Sequence, residues 1–302
     1  MSTFFRALER AEQERALRRP ATPSAPASEP GPAVPAPETA PTRAPQSVFT
    51  PPRPAAAGLG THAHELEDHL VSLLAPASFE AEQYRALRHM VEQLHRSAEL
   101  SVVAVSSPDA ADGKTTTAIN LAGTLAQAPD ARVLIIDADL RGANVAGYLG
   151  LDDQATPGFV DAILDTNLTL EAVTHKLPHL NLSIVPAGRR SSAPYEVLKS
   201  PRVGELLVEA RKKYDYVIVD TPPLVSVPDG RVIGKWVDGF LIVVAAHRTP
   251  RKLLEEALNV TEPAKLMGLV FNGDDRHLSR DTYSSRRSSR RRARRKQTAS
   301  DD

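Results

Sequence analysis

Apolar and polar positions alternate in blocks along the chain. Compact apolar runs at 102–105, 133–137, 182–185, 216–220, 239–245 and 266–271 are each four to seven residues long, which predicts strands buried on both faces. Between them apolar residues recur at spacings of three and four. Predicted helices cover 79–96, the stretch opening near Ala118, 157–164, 170–175, 194–199 and 202–213. Strand and helix alternate from 101 to 273, so the predicted fold class is α/β: a mostly parallel, doubly wound sheet with helices on both faces.

The flanks read differently. Residues 1–19 set Phe4, Phe5, Leu8 and Ala11 among Glu and Arg at helical spacing, which predicts a short amphipathic helix. At this length docking on a partner or membrane surface and a marginal, solvated helix are both open to it. Residues 20–64 are dominated by Pro and Ala and read as a disordered linker, residues 65–273 as the domain, and residues 274–302 as a disordered basic tail. Formal net charge is zero, yet the tail holds ten Arg and Lys against five Asp, so the body is mildly acidic. The chain has no cysteine, which excludes disulfides and thiolate chemistry. Its apolar runs fall far short of the roughly 20 residues a spanning helix needs, and residues 1–20 are too charged for a signal peptide. A cytoplasmic protein is expected.

Candidate chemistry gathers where strands end. From Ser106 to Thr117 the chain reads Ser-Ser-Pro-Asp-Ala-Ala-Asp-Gly-Lys-Thr-Thr-Thr, a loop between a buried strand and a helix. That is the setting of a phosphate loop, because unpaired N–H groups at a helix start attract anions. Gly113 lets the backbone approach, Lys114 reaches the β/γ-phosphates of a nucleoside triphosphate, and the Thr115 hydroxyl sits on Mg²⁺. Pro108 stands where the GxxxxGK pattern has its first glycine, so Gly-Lys-Thr alone does not decide between this site and a surface turn. Two further runs end in acids: Val133-Leu-Ile-Ile-Asp137-Ala-Asp139-Leu-Arg141 and Tyr216-Val-Ile-Val-Asp220. Ligands of open α/β sheets lie beyond the carboxyl ends of strands, which places Asp137 and Asp139 in one crevice with Lys114. Asp220 has the form of a Walker B aspartate, holding Mg²⁺ directly or through water. One strand-end Asp is often only a helix N-cap; three beside Gly-Lys-Thr point to a nucleotide site. Upstream, Glu82, Arg85 and Arg88 lie on one helical stripe, either a solvated face or an interface whose arginines pair with a neighbour's carboxylates.

Together, Gly113-Lys114-Thr115-Thr116, the Asp137–Arg141 run, Tyr214-Asp-Tyr-Val-Ile-Val-Asp220-Thr-Pro-Pro and Glu82-x-x-Arg85-x-x-Arg88 resemble the bacterial tyrosine kinases of capsule and exopolysaccharide synthesis. These are P-loop NTPases related to the Min and Par ATPases, and the resemblance covers about residues 66–273. It implies a P-loop fold, ATP and Mg²⁺ as cofactors, and transfer of the γ-phosphoryl group to tyrosine. It assigns ATP binding to Asp112, Gly113, Lys114, Thr115 and Thr116, an adenine contact to Asn272, and Mg²⁺ to Thr115 and Asp220. Catalysis falls to Lys114, which stabilises the phosphates, and to Asp137 as base or second metal contact with Asp139 as its helper. The resemblance also implies a homo-oligomeric ring through Glu82, Arg85 and Arg88. Its activator is a membrane-embedded chain-length regulator at the inner face of the cytoplasmic membrane.

The tail departs from the family's pattern. Family members carry a C-terminal tyrosine cluster, whereas here Tyr283 alone follows Asn272 and is the one candidate phosphosite of the tail. The basic run from Arg286 to Lys296 suits a solubilising tail, contact with anionic lipid, or phosphate contacts to nucleic acid. No aromatic residue interleaves it, which argues against base stacking and nucleic acid. Two alternatives to the kinase stay open. The missing cluster favours an ATP-binding scaffold of the same pathway that phosphorylates nothing. The basic tail suits a Min/Par-like partition ATPase, but Asp109 occupies the place of those proteins' extra lysine.

Overall fold

The computed structural model describes residues 66–151, 157–177 and 180–274. The helix expected over 1–19, the linker expected over 20–64, Tyr283 and the tail beyond residue 274 lie outside the described residues. In chain order the helices are α1 (Val71–Leu74), α2 (Phe79–Ala98), α3 (Lys114–Leu125), α4 (Val145–Tyr148), α5 (Phe159–Leu164), α6 (Pro194–Lys199), α7 (Pro201–Lys213), α8 (Asp229–Ile233) and α9 (Arg251–Val260). The strands are β1 (Val102–Ser106), β2 (Val133–Asp137), β3 (His175–Lys176), β4 (Leu182–Val185), β5 (Tyr216–Asp220), β6 (Gly239–Ala245) and β7 (Leu266–Asn272).

The seven strands form one sheet in the order β3-β4-β2-β5-β1-β6-β7. All pairings are parallel except that of the two-residue edge strand β3. Successive strand residues point to opposite faces, and here both faces are dry. Leu134, Ile136, Val217, Val219, Ile242 and Val244 meet helices α5, α6 and α7 through Ile163, Leu198 and Leu206. Val133, Ile135, Ile218, Leu241 and Val243 face the other way, onto Ile119 and Leu121 of α3 and Val91 of α2. Each such side chain contributes roughly 1.5–3 kcal/mol by leaving water, which is why the sequence spends Val and Ile here.

α2 shows how local signals fix an element. The Ser78 hydroxyl accepts from Ala81 N (3.0 Å), Glu80 and Glu82 occupy the first turn, and His95 and Arg96 the last. These charges oppose the helix dipole at both ends. Several stretches differ from the sequence reading. In place of a helix over 170–175 there is a single 3₁₀ turn, Glu171–Val173, after which His175 and Lys176 pair with Ile184 and Ser183 of β4. The exposed sheet edge offers those backbone groups partners that a sixth helical residue cannot, so tertiary pairing wins over local pattern. α1, α4, α8 and α9 had no counterpart in the sequence reading, although Leu254, Ala257 and Leu258 carry the inward stripe of α9.

Candidate functional site

β1, β2 and β5 lie side by side, so their carboxyl ends deliver residues to one place. Asp220 is in register with both Val105 of β1 and Asp137 of β2. The loop after β1 enters α3 through Gly113, whose φ of +94° is left-handed. A Cβ there would lie 2.0 Å from Asn272 Nδ2, so glycine is required both by conformation and by space. The first amide that the helix absorbs is that of Thr117, donated to the Gly113 carbonyl (2.9 Å). The N–H groups of Lys114, Thr115 and Thr116 are thereby left over at a helix start, where an anion fits.

Lys114 Nζ lies 2.7 Å from Asp139 Oδ2, with both side chains nearly buried. It also approaches its neighbour's Thr115 Oγ1 at 3.3 Å. The Thr115 hydroxyl in turn donates to Asp220 Oδ2 at 2.7 Å. A continuous polar chain, Asp139–Lys114–Thr115–Asp220, therefore crosses the head of the loop. Asp137 is built differently: its Oδ1 accepts from Asp139 N (3.1 Å), and its Oδ2 from Asn144 N and Val145 N (3.0 Å each). It braces the turn that holds Asp139 in place. Asp139 Oδ1 adds a bond from Gly142 N at 3.1 Å.

Three buried carboxylates around one ammonium leave this site electronegative. Burial opposes the Lys114 charge, but Asp220, Asp139 and Asp137 outweigh it and hold its pKa above the ordinary value. Burial, then Asp220, pushes Asp137 well above the usual carboxylate range. Asp220 is pushed up to about 6 by burial, against the pull of Lys114 and the Thr115 hydroxyl. Its Oδ1 is buried with no hydrogen-bond partner among the described residues. An orphaned carboxylate oxygen beside a threonine hydroxyl is a hard-oxygen donor set that fits Mg²⁺. Among the described residues no group of three or more His, Cys, Asp or Glu could by itself hold a metal.

The structure brings Gly113, Lys114, Thr115, Thr116, Asp137, Asp139 and Asp220 together at the carboxyl ends of β1, β2 and β5. Asn272, ending β7, joins them by donating to the Asp112 carbonyl (3.0 Å). The Asp112 side chain is turned into the protein, accepting from Asp109 N (3.1 Å) and from the Thr249 hydroxyl (2.8 Å). It is a brace of the loop. Arg248 reaches over from the same segment to the Ala111 carbonyl. Sequence reasoning missed Thr249 and Arg248, and also the pair of Arg141 with Asp229 (Nε–Oδ1 3.3 Å, Nη2–Oδ2 3.2 Å), which ties the Asp139 turn to the start of α8. Asp229 follows a proline at a helix start, a pattern that announces an N-terminus and not an ion-pair partner.

Glu82, Arg85 and Arg88 lie apart from this cluster, on α2. Glu82 and Arg85 are exposed and paired with each other, and Arg85 also reaches the Pro76 carbonyl. Arg88 turns inward to Glu92 (2.6 Å) and to the Thr124 carbonyl (2.9 Å) at the far end of α3.

The family model described as an AAA domain matches residues 100–246. Over 210 residues the chain is 31% identical to the tyrosine-protein kinase YwqD of Bacillus subtilis, covering 69% of this chain and 87% of YwqD. It is 33% identical over 210 residues to the succinoglycan biosynthesis transport protein ExoP of Rhizobium meliloti, covering 67% of this chain. The chain spans only 26% of ExoP's length. Among solved structures, the kinase domain of the Escherichia coli tyrosine kinase ETK superposes with a TM-score of 0.64 at 27% identity, covering 70% of this chain and 82% of that one.

Proposed function

The chain belongs to the family of bacterial tyrosine kinases, and from that premise we propose that it transfers the γ-phosphoryl group of ATP to protein tyrosine. The observation that carries the reading is the polar chain Asp139–Lys114–Thr115–Asp220 at the mouth of a helix-capped loop. The free amides of residues 114–116 cradle the phosphates, and Lys114 neutralises the charge between the β- and γ-groups. Thr115 and Asp220 would hold Mg²⁺, which would supply positive charge to offset that of the phosphates. Asn272, held beside the loop by its bond to the Asp112 carbonyl, is assigned the contact with the base. The tyrosine oxygen forms a bond to the γ-phosphorus as the bond to the bridging oxygen of ADP breaks. The phenolic proton passes to a carboxylate of the Asp137–Asp139 turn. Little else is asked of the protein, because this reaction is driven by positioning and charge neutralisation.

ExoP is named for transport in succinoglycan biosynthesis, which supports a proposed role for this chain in regulating capsular or exopolysaccharide polymerisation and export. No helix among the described residues is long and apolar enough to cross a membrane. A membrane-embedded chain-length regulator then serves as activator at the inner face of the cytoplasmic membrane, with the basic tail drawn to anionic lipid. The exposed Glu82 and Arg85 present the face for assembly with further copies. A second reading is favoured by one specific feature, the single Tyr283 beyond Asn272: an ATP-binding scaffold that assembles without phosphorylating. Incubation with γ-labelled Mg-ATP, alone and with a family chain-length regulator, followed by phosphotyrosine mapping, separates the two. Label on tyrosine that is lost in Lys114→Ala supports the kinase; saturable ATP binding without phosphotyrosine in either arm leaves the scaffold.

A further inference from the structure

The lysine that a triphosphate needs is already paired. Lys114 Nζ sits 2.7 Å from Asp139 Oδ2, and that oxygen has no other hydrogen-bond partner among the described residues. Asp139 is also held rigidly. Its other oxygen accepts from Gly142 N (3.1 Å), and its own amide donates to Asp137, which is pinned by Asn144 and Val145. A Cβ on Gly142 would lie 3.5 Å from Asp139 Oδ2, so the turn wraps the carboxylate closely. Of the two partners, only the lysine, with its four-carbon stem, is free to move.

Resting on the reading of this cluster as a Mg-ATP site, we propose that Asp139 is the resting counter-ion of Lys114 and that nucleotide enters by taking the lysine from it. Asp139 thereby sets nucleotide affinity, and its outer oxygen is released only when phosphates occupy the loop. The ion pair occupies the head of the loop where β- and γ-phosphates are expected, so both states of Lys114 cannot coexist. Opening it removes an ammonium from a site crowded with carboxylates, a cost that the incoming phosphates must offset from their own interaction with Lys114. The neighbouring bonds obey the same logic. The Thr115 hydroxyl is spent on Asp220 and the Asn272 amide on the Asp112 carbonyl. The consequence is ordering: a carboxylate able to take a tyrosine proton is exposed after nucleotide has bound and not before.

The test compares wild type with Asp139→Asn, whose side-chain oxygen still accepts from Gly142 N, by titration calorimetry with ADP·Mg and with AMP. AMP carries no β-phosphate and has no use for Lys114. Asp139→Asn is expected to tighten ADP binding roughly tenfold, within the range measured for coupled neighbouring groups, and AMP binding by less than twofold. In a Lys114→Ala background the same substitution is expected to change ADP affinity by less than twofold. Equal gains for ADP and AMP, an equal gain with and without Lys114, or no gain at all overturns the proposal. Failure of wild type to bind ADP·Mg removes the nucleotide reading beneath it, and the proposal with it, which distinguishes the two failures.

Discussion

Asp220 offers the sharpest test of how function strains this fold. Its side chain is fully buried and its carboxyl is pushed from 3.8 up to about 6, with burial as the largest cause. Holding that carboxylate charged costs the folded state ~3 kcal/mol at neutral pH. The sign follows from linkage: a raised pKa means the folded protein binds the extra proton between pH 3.8 and about 6. Stability from this group therefore falls as pH rises through that window and is flat above it. Asp220→Asn keeps an oxygen for the Thr115 hydroxyl and places an amide where Oδ1 has no partner. It also removes an attraction for Lys114, which retains Asp139 at 2.7 Å. The nucleotide-free variant is expected to gain about 1–3 kcal/mol at pH 7.5, or roughly 2–10 °C in Tm for a domain of this size. Scanning calorimetry of both proteins from pH 4 to 8, without Mg²⁺ or nucleotide, reads the difference. It should be near zero at pH 4 and reach its full value by pH 7. With saturating Mg-ATP the order should reverse, because only wild type gains binding energy at the metal site. A variant less stable than wild type at pH 7.5 without ligand, or a difference independent of pH, refutes the reasoning.

Three further outcomes follow from the same contacts. Gly113→Ala meets a left-handed φ of +94° and a Cβ position 2.0 Å from Asn272 Nδ2; a loss of about 2–3 kcal/mol in urea unfolding is expected, from backbone strain and the broken Asn272 bond. Arg88→Ala gives up bonds to Glu92 and to the Thr124 carbonyl, so ~1–2 kcal/mol of stability should go, whereas exposed Arg85→Ala should leave Tm unchanged and lower the oligomer mass seen by light scattering. Arg141→Ala strands the fully buried Asp229 without its partner, and a loss of ~2 kcal/mol is expected in the same unfolding assay after allowance for the exposed guanidinium.

What the sequence made legible was the sheet and the strand-end acids. Runs such as Val133–Asp137 and Tyr216–Asp220 are apolar throughout because both faces of the sheet are covered, and such runs announce themselves without knowledge of their neighbours. Their terminal acids gather by topology alone, since parallel strands all end on one side. Directions of side chains were not legible. Asp112 and Gly113 are adjacent in the motif, yet Asp112 turns inward because Thr249, 137 residues later, supplies a hydroxyl. Likewise Arg85 and Arg88 share a stripe in the sequence, but only Arg88 reaches the Thr124 carbonyl at the end of α3. The 170–175 stretch failed for the same reason: Leu170 and Val173 fit a helix, and the strand formed only because β4 offered an edge.

The most direct measurement is a crystal structure with Mg²⁺ and a non-hydrolysable ATP analogue. The expected result is triphosphate on the amides of residues 114–116, Mg²⁺ against Thr115 and Asp220, the base beside Asn272, and Lys114 drawn off Asp139 onto the phosphates. Nucleotide bound elsewhere on the sheet, or an ion pair of Lys114 with Asp139 unchanged beneath a bound triphosphate, contradicts the account.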